Sequence, residues 1–223
     1  MSQSIHPSHD GSDTVFSEKY NAHYHSVFGA IEEAIHVFIA AGLFHYHKKG
    51  YTSLRIFEMG LGTGLNAFLS YLEANRFNIK IDYQAIESDP VDNKIYDAIN
   101  YPEQLSRNEK PAFLKLHSSS WGNPHHFNEN FTLTKYHNSI ENQVIEGNLD
   151  LIFYDAFAPT CQAHLWEEPI HKKLYDLLNP GGALVTYCTK GTFRRMLESL
   201  GYKIEKLNGP AKKREMMRAT KLK

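Results

Sequence analysis

An acidic side chain and three alternating glycines stand together in the segment EMGLGTGLN. Glu58 precedes Gly60, Gly62 and Gly64, and Asn66 follows them. Glycine permits positive φ and lets a ligand touch the backbone, while a helix that starts after such a loop offers free N–H groups and a partial positive charge. The pattern predicts a bound nucleotide-like cofactor that these five residues contact. A glycine turn needed only for close strand–helix packing is the alternative.

Glu87 ends the next apolar stretch, roughly 20 residues after the glycines. A carboxylate at that spacing is typical of the group that accepts both ribose hydroxyls of a nucleotide. Asn138 follows a third apolar stretch and is predicted to accept a hydrogen bond from an adenine amino group, with stabilisation of a turn as the alternative. These features fit S-adenosylmethionine and NAD alike, so they leave the reaction open.

Asp155 ends the apolar stretch LDLIFY and begins the loop Asp-Ala-Phe-Ala-Pro. Open α/β sheets place their sites at the carboxyl ends of strands. We therefore expect Asp155 at the reacting end of the cofactor, where its carboxylate would position an amine and accept a proton from it. Helix capping is the alternative role. Phe157, Pro159 and Trp166 follow on this loop and the next helix and are predicted to contact the substrate.

Polar and aromatic side chains also precede the first predicted helix, in the segment NAHYHS. Tyr24, His25 and Ser26 are predicted to close over the cofactor or to bind its carboxylate. His23 and His25 alternate along the chain, but no third ligand stands at a recognisable spacing, so no metal site is predicted.

The carboxyl-terminal part of the chain is basic although the whole chain has a net charge of −1. Eight Lys or Arg lie between positions 203 and 223, against two Glu. Three of them, Lys212, Lys213 and Arg214, follow a Gly-Pro pair in a predicted turn. Such a cationic turn is predicted to contact the phosphates of RNA, and a solvated surface loop is the alternative.

Short apolar segments alternate with helical patterns from position 54 onward, which predicts an α/β protein with a doubly wound, mostly parallel sheet. The predicted strands are 54–59, 79–87, 131–136, 149–154, 183–187, 202–207 and 214–219, and the predicted helices are 29–48, 65–74, 91–100, 164–178 and 192–200. The last two strands would give the sheet an antiparallel end, which favours a methyltransferase over a dehydrogenase. Residues 101–130 read as irregular, and residues 180–182 read as a turn.

Length and composition predict one domain at 14–223, with an N-terminal helical extension and a disordered tail at 1–13. Two cysteines without a paired spacing favour a reducing compartment, and no apolar run is long enough for a membrane span. The expected location is the cytoplasm.

Four segments together resemble one family: EMGLGTGLN, YDAFAP followed by a tryptophan, NPGGALVTY, and GPAKKREMM. They are similar to the MnmD/MnmC-type methyltransferases over about residues 12–219. The resemblance implies a class I, Rossmann-like fold that uses S-adenosylmethionine to methylate the aminomethyl group of 5-aminomethyl-(2-thio)uridine at the wobble position of tRNA, giving 5-methylaminomethyl-(2-thio)uridine.

The same resemblance implies roles for individual residues. Gly60, Gly62 and Gly64 would line the cofactor, Glu87 would hold its ribose, and Asp155 would stand at the transfer centre. Residues 213–216 would lie near the anticodon loop.

The sequence departs from the family pattern at two points. Asn138 replaces an aspartate that relatives often carry, and the FAD-dependent oxidase domain of the bifunctional relatives is absent, which implies methylation alone.

Three other functions remain open at the level of sequence. The chain could methylate a small amine metabolite with the same fold, or it could bind S-adenosylmethionine without catalysis. An NAD-dependent oxidoreductase is the third, although the alternating GxGxG form and the antiparallel end of the sheet argue against it.

Overall fold

The computed structural model describes residues 2–210 and 214–222. In chain order its strands are β1 (Gln3–Pro7), β2 (Asp13–Ser17), β3 (Ala22–His23), β4 (Ser53–Met59), β5 (Lys80–Glu87), β6 (Pro124–His126), β7 (Phe131–His137), β8 (Leu149–Tyr154), β9 (Leu178–Thr186), β10 (Tyr202–Asn208) and β11 (Glu215–Lys221). Eight of them form one sheet in the order β10-β11-β9-β8-β4-β5-β7-β6, and β1, β2 and β3 form a small separate sheet.

The large sheet is parallel at its centre and antiparallel at both ends. Strands β9, β8, β4, β5 and β7 pair in parallel, whereas β11 is antiparallel to β9 and β10, and β6 is antiparallel to β7. The predicted fold class is therefore confirmed. Because the parallel strands point the same way, the loops that follow β4, β5, β7 and β8 meet at one edge of the sheet.

The helices cover both faces of this sheet. In chain order they are α1 (Ala30–Ala34), α2 (Phe44–Lys48), α3 (Leu65–Phe77), α4 (Asn93–Ala98), α5 (Tyr101–Leu105), α6 (Lys110–Ser118), α7 (Glu168–Leu177) and α8 (Gly191–Ser199). A π-helical segment, Ile35–Leu43, joins α1 to α2, so the single helix predicted at 29–48 forms with a widened middle.

The central strands are buried on both faces, as expected for parallel strands between helices. Ile56 and Phe57 are neighbours on β4 with 0% exposure each, and they belong to different hydrophobic clusters. One cluster contains Phe68 of α3 and the other contains Phe193 of α8. This two-sided packing holds the carboxyl ends of the strands in fixed positions.

Residues 101–130 were predicted to be irregular, and this prediction is wrong. They form α5, a short 3-10 helix at Arg107–Glu109, α6 and β6. Proline usually interrupts a helix, which is why this segment was predicted to be irregular, yet Pro102 and Pro111 each stand in the first turn of a helix. A proline is tolerated there because its missing N–H would have no partner within the helix.

The N-terminal segment is also more ordered than predicted. Residues 1–13 were expected to form a disordered tail, but β1 pairs with β2 from Gln3↔Ser17 to Pro7↔Asp13. The Asp10 carboxylate then accepts hydrogen bonds from the backbone N–H groups of Ser12 and Glu32, the second at the start of α1. Side-chain and backbone hydrogen bonds stabilise this polar segment, and the hydropathy pattern does not reveal them.

The structure also differs from the prediction at one turn and one helix. The turn expected at 180–182 lies inside β9, where the register against β8 shifts between Leu149 and Leu151, as at a β-bulge. The helix expected at 164–178 is divided into a 3-10 helix, Ala163–Trp166, and α7.

Candidate active site

The glycine loop (residues 60–64) connects β4 to α3 and approaches other side chains closely. Gly62 has φ +50°, and a Cβ there would lie 2.9 Å from Cδ1 of Tyr24. Gly64 has φ +72°, and a Cβ there would lie 2.8 Å from Nε2 of His117. Positive φ and contact on two sides explain why this segment needs glycine. The loop is packed between the N-terminal segment and α6.

Glu87 joins the carboxyl end of β5 to the glycine loop. Its Oε2 accepts the Gly62 N–H at 2.9 Å, and its Oε1 accepts the Asp89 N–H at 2.8 Å. Burial raises the pKa of Glu87, while these two hydrogen bonds oppose that rise. Each carboxylate oxygen has a second lone pair. The side chain can therefore accept two ligand hydroxyls from a fixed orientation.

Asp155 lies at the carboxyl end of β8, and its side chain is 9% exposed. Its Oδ2 accepts a hydrogen bond of 2.8 Å from Nδ2 of Asn66. The same Nδ2 donates to Oε1 of Glu58 at 2.9 Å. Glu58 and Asn66 are each only 1% exposed, so both stand behind the cavity wall. Both were predicted to contact a cofactor, but neither lines the cavity: Asn66 contacts Glu58 and Asp155, and Glu58 contacts Asn66.

His25 approaches Asp155 from the N-terminal segment. Its Nδ1 lies 3.9 Å from Oδ2 of Asp155, and its Nε2 is 2.8 Å from the hydroxyl oxygen of Thr63. The Tyr101 hydroxyl lies 3.3 Å from that same oxygen. The imidazole is thus held between the glycine loop and the aspartate.

A cavity of about 690 Å³, including space open to solvent, brings these groups together. Eight of the predicted residues line it: Tyr24, His25, Gly60, Gly62, Glu87, Asn138, Asp155 and Phe157. The loop that follows β7 supplies one wall, with Asn138, Ser139, Ile140 and Glu141. Asn138 accepts the Ser139 N–H at 2.8 Å and donates to Gln143 at 3.1 Å, so its amide also performs the alternative turn-stabilising role.

Aromatic side chains form the mouth of the cavity. The Phe157 ring stacks on Tyr20, with ring centroids 4.6 Å apart, and meets the edge of Tyr24 at 4.9 Å. Gln3 of β1 donates to the Tyr24 hydroxyl at 3.2 Å, and Lys19 pairs with Asp89 at 3.2 Å. The small N-terminal sheet therefore holds the aromatic mouth against the glycine loop and the Glu87 segment.

Several predicted site residues lie outside the cavity lining. Ser26 accepts the Phe28 N–H at 3.2 Å in the turn before α1. Trp166 is 8% exposed, packs against Phe193, and its indole N–H donates to the Phe157 carbonyl at 2.8 Å. Trp166 is therefore a core residue that fastens the loop 155–159, not a stacking surface for substrate. Gly64 and Pro159 do not belong to the lining either.

The basic turn is only partly described. Lys212 and Lys213 lie outside the described residues, while Arg214 is exposed just before β11. The pair Met217↔Thr186 places the start of β11 next to the carboxyl end of β9. Arg214 consequently belongs to the same edge of the sheet as the cavity, although it does not line it.

Sequence reasoning missed several residues of the cavity wall. Tyr20, Gln162 and His164 line the cavity. Tyr20 stands four residues before Tyr24. Gln162 accepts the Phe157 N–H at 3.2 Å. They stand near the predicted segments along the sequence, but no motif includes them, and only the folded loops bring them to the cavity.

Residues 2–210 and 214–222 contain neither a metal-binding cluster nor a membrane-spanning helix. No group of three His, Cys, Asp or Glu side chains there could hold a metal ion. No helix in the same residues combines the length and hydropathy that crossing a bilayer requires.

Comparison with known proteins decides the class of ligand. Residues 115–222 match the family model described as S-adenosyl-L-methionine-dependent methyltransferase. Over these residues the chain is similar to this family. The use of S-adenosylmethionine is thereby confirmed, as is the resemblance drawn from the motifs.

Two curated relatives cover almost the whole chain. Both are named tRNA 5-methylaminomethyl-2-thiouridine biosynthesis bifunctional protein MnmC. The protein of Actinobacillus pleuropneumoniae is 25% identical over 94% of this chain and 34% of its own length. The protein of Leptospira borgpetersenii is 29% identical over 92% of this chain and 33% of its own length. The chain thus spans about a third of the curated relatives it matches.

A solved structure, MnmC2 from Aquifex aeolicus, matches 100% of this chain and 71% of its own, with a TM-score of 0.80 at 23% identity. This likeness shows the shared fold.

The residues of the cavity fit S-adenosylmethionine. A Cβ at Gly62 would meet Tyr24, so the cradle between them exists only because the loop carries no side chain there. Beside that cradle, Glu87 offers a fixed carboxylate. The described residues that line the cavity include three ionisable acids, Glu87, Glu141 and Asp155, and neither Lys nor Arg. Such a wall favours a cationic ligand.

Proposed function

We propose that the protein methylates the aminomethyl group of 5-aminomethyl-(2-thio)uridine at the wobble position of tRNA, giving 5-methylaminomethyl-(2-thio)uridine. The observation that carries the proposal is a buried carboxylate, Asp155, at the carboxyl end of β8 in a cavity that fits a cationic methyl donor. The printed names of the relatives support tRNA as the carrier of the amine. Identities of 25% and 29% make the exact nucleoside a matter for experiment.

Each part of the cavity receives one part of the reacting pair. We place the ribose hydroxyls on Glu87 and the adenine between Ile86 and the wall at residues 138–141. Gly60 and Gly62 then allow the rest of the cofactor to touch the backbone, with Tyr24 and His25 closing over it. S-adenosylmethionine supplies a methyl group that its sulfonium already activates. The chain therefore needs mainly to orient the amine and to receive its proton.

Asp155 performs that orientation. An aliphatic amine is mostly protonated in neutral water, so one N–H⁺ must be lost before the nitrogen lone pair can attack. The Asp155 carboxylate would accept a hydrogen bond from the ammonium and take one of its protons, which frees the lone pair and leaves the neutral amine held in line. The nitrogen would then displace the methyl group from the sulfonium, so that the N–C bond forms as the S–C bond breaks and the demethylated cofactor leaves. Tyr20 and Phe157 stand at the mouth, where a base turned out of single-stranded RNA can stack.

The edge around the cavity supports an RNA carrier. Exposed basic side chains occur there at Lys190, which precedes α8, at Arg195 within α8, and at Arg214 before β11. The cavity wall itself carries carboxylates. Phosphates would thus bind at the outer edge while only the amine-bearing base enters.

Nucleoside mass spectrometry tests the proposal. Undermodified tRNA that carries 5-aminomethyl-2-thiouridine is incubated with the protein and S-adenosylmethionine, digested and analysed. We expect the wobble nucleoside to gain one methyl group, and Asp155→Asn to abolish most of that gain. Methylation of a free small amine together with an unchanged wobble nucleoside would overturn the proposal. Cofactor binding without any methyl transfer would also overturn it.

Salt dependence provides a second test of the carrier. Phosphate contacts make RNA affinity fall steeply with salt. We expect tRNA binding to weaken at least tenfold between about 50 and 200 mM salt, whereas binding of S-adenosylmethionine alone changes little. An affinity for tRNA that does not depend on salt would contradict phosphate contact at the edge.

A further inference from the structure

Behind the cavity wall, one amide group joins two carboxyl groups. Nδ2 of Asn66 donates one hydrogen to Oδ2 of Asp155 at 2.8 Å and the other to Oε1 of Glu58 at 2.9 Å. Asn66 and Glu58 are 1% exposed, and the Asp155 side chain is 9% exposed. Both hydrogens of the amide are therefore committed to carboxyl oxygens in a nearly dry environment.

The three side chains come from separate parts of the chain. Glu58 lies on β4, Asn66 in the first turn of α3 and Asp155 after β8. The glycine loop separates the first two and fixes where α3 begins. Because β4 and β8 are paired in parallel, from Ile56↔Leu151 to Met59↔Tyr154, the sheet fixes the spacing between Glu58 and Asp155.

Among the described residues, no cation pairs with Glu58. No Lys, Arg or His within the described residues forms an ion pair with it, and its other oxygen, Oε2, lacks a hydrogen-bond partner there. The groups that face it are Asn66, Tyr83, Asp155 and Glu87. Burying an unpaired ionised carboxylate is very costly, and two nearby carboxyl groups resist joint ionisation. Burial, together with the charge of Asp155, raises the pKa of Glu58 well above its usual value.

We propose that Asn66 is a positioning residue for Asp155 and that Glu58, as a neutral carboxylic acid, holds Asn66 in place. The inference deepens the proposed function, because Asp155 is the residue that receives the amine. Of these three residues Asp155 is the most exposed, so it carries the negative charge, while the carboxyl group of Glu58 stays protonated. Neither Glu58 nor Asn66 touches cofactor or substrate.

Kinetics of substituted proteins give the first test. Asn66→Leu removes both donors at similar volume, and we expect kcat to fall about a hundredfold through misplacement of Asp155, with KM and cofactor affinity within about threefold. Gln84→Leu is the matched control. It replaces another buried amide, 2% exposed, which contacts Tyr136 and Glu146 and does not line the cavity. We expect that control to lose stability but to keep kcat.

Glu58 gives a test of the neutral form. Glu58→Gln keeps the shape and an acceptor oxygen without a charge, so it should retain kcat within about threefold. Glu58→Leu cannot accept from Asn66 and should lose about tenfold. Loss of activity in Glu58→Gln equal to that in Glu58→Leu would show that a charge is required and would overturn the neutral role.

Nuclear magnetic resonance of the free protein tests the bridge without any reaction. The two side-chain amide protons of Asn66 should be shifted downfield and protected from exchange. Glu58→Leu should release one of them, and Asp155→Ala should release the other. Two unprotected Asn66 protons in the wild-type protein would refute the positioning chain. A protected pair in a protein that methylates no tRNA would instead refute only the proposed function.

Discussion

Replacement of Gly62 by alanine tests how the glycine loop and the aromatic mouth share the cofactor cavity. Gly62 has φ +50°, and its added Cβ would lie 2.9 Å from Cδ1 and 3.3 Å from Cε1 of Tyr24. Gly50 is the matched control, since it has φ +89° and no atom within 4 Å of an added Cβ. The two substitutions share the backbone strain, and only Gly62→Ala adds a contact with a residue of the cavity wall.

The geometry sets the size of each effect. A left-handed conformation costs a non-glycine residue about 1–2 kcal/mol, which for a chain of this size lowers Tm by about 2–8 °C. Gly50→Ala should show that loss alone. In Gly62→Ala the overpacked contact adds about 1–3 kcal/mol. Tyr24 must turn away from the loop to relieve the contact, so S-adenosylmethionine should bind about ten- to a hundredfold more weakly.

Calorimetric titration with S-adenosylmethionine and thermal unfolding measure the two effects separately. We expect a normal Kd for Gly50→Ala and a raised Kd for Gly62→Ala. In a Tyr24→Ala background the added Cβ meets no ring, so Gly62→Ala should then cost much less affinity. An equal loss of affinity with and without the Tyr24 ring would refute the reasoning, as would an unchanged Kd in Gly62→Ala.

Three further predictions concern the carboxyl groups. Glu87→Gln replaces one acceptor oxygen by an NH2 donor that faces a backbone N–H or a ribose hydroxyl, so it should weaken the binding of S-adenosylmethionine about tenfold or more in a binding titration. Asp155→Asn should lower kcat at least a hundredfold while cofactor affinity, measured by the same titration, stays within threefold. Glu58 has a raised pKa in the folded protein. Its contribution to the free energy of unfolding is therefore fully present below its usual pKa of about 4.5 and decreases as pH rises towards its pKa in the folded protein. Thermal unfolding of Glu58→Gln should therefore show a smaller loss of Tm on going from pH 5 to pH 9 than the wild type shows.

The sequence predicts the central architecture because the relevant signals are local. Buried parallel strands read as apolar runs, and each of β4, β5, β7 and β8 ends near a polar residue that the structure brings to one edge. Glu87 and Asp155 were found in this way. Their neighbours on the wall, such as Tyr20 and Gln162, could not be found, because their positions depend on how two loops fold against each other.

The errors have a common physical cause. The strand pairing of β1 depends on hydrogen bonds in a polar segment, which hydropathy does not report. Trp166 was predicted to contact the substrate, yet its indole N–H donates to the Phe157 carbonyl and its ring packs on Phe193 within the core. Glu58 and Asn66 belong to the predicted cofactor-binding motif, but both are buried behind the wall, where Asn66 donates to Glu58 and to Asp155. In each case the deciding contacts are hydrogen bonds or packing that form only in the folded chain.

The distribution of charge links the cavity to the choice of substrate. The described residues of the wall include three carboxyl groups and neither Lys nor Arg, whereas Lys190, Arg195 and Arg214 are exposed around the same edge of the sheet. A dinucleotide would bring its pyrophosphate against these carboxyl groups, while a sulfonium and an ammonium are both attracted by them. RNA phosphates encounter favourable charge only outside the cavity. A substrate that joins an amine to a polyanion therefore satisfies both regions at once, because its backbone remains at the edge and only its cationic group reaches Asp155.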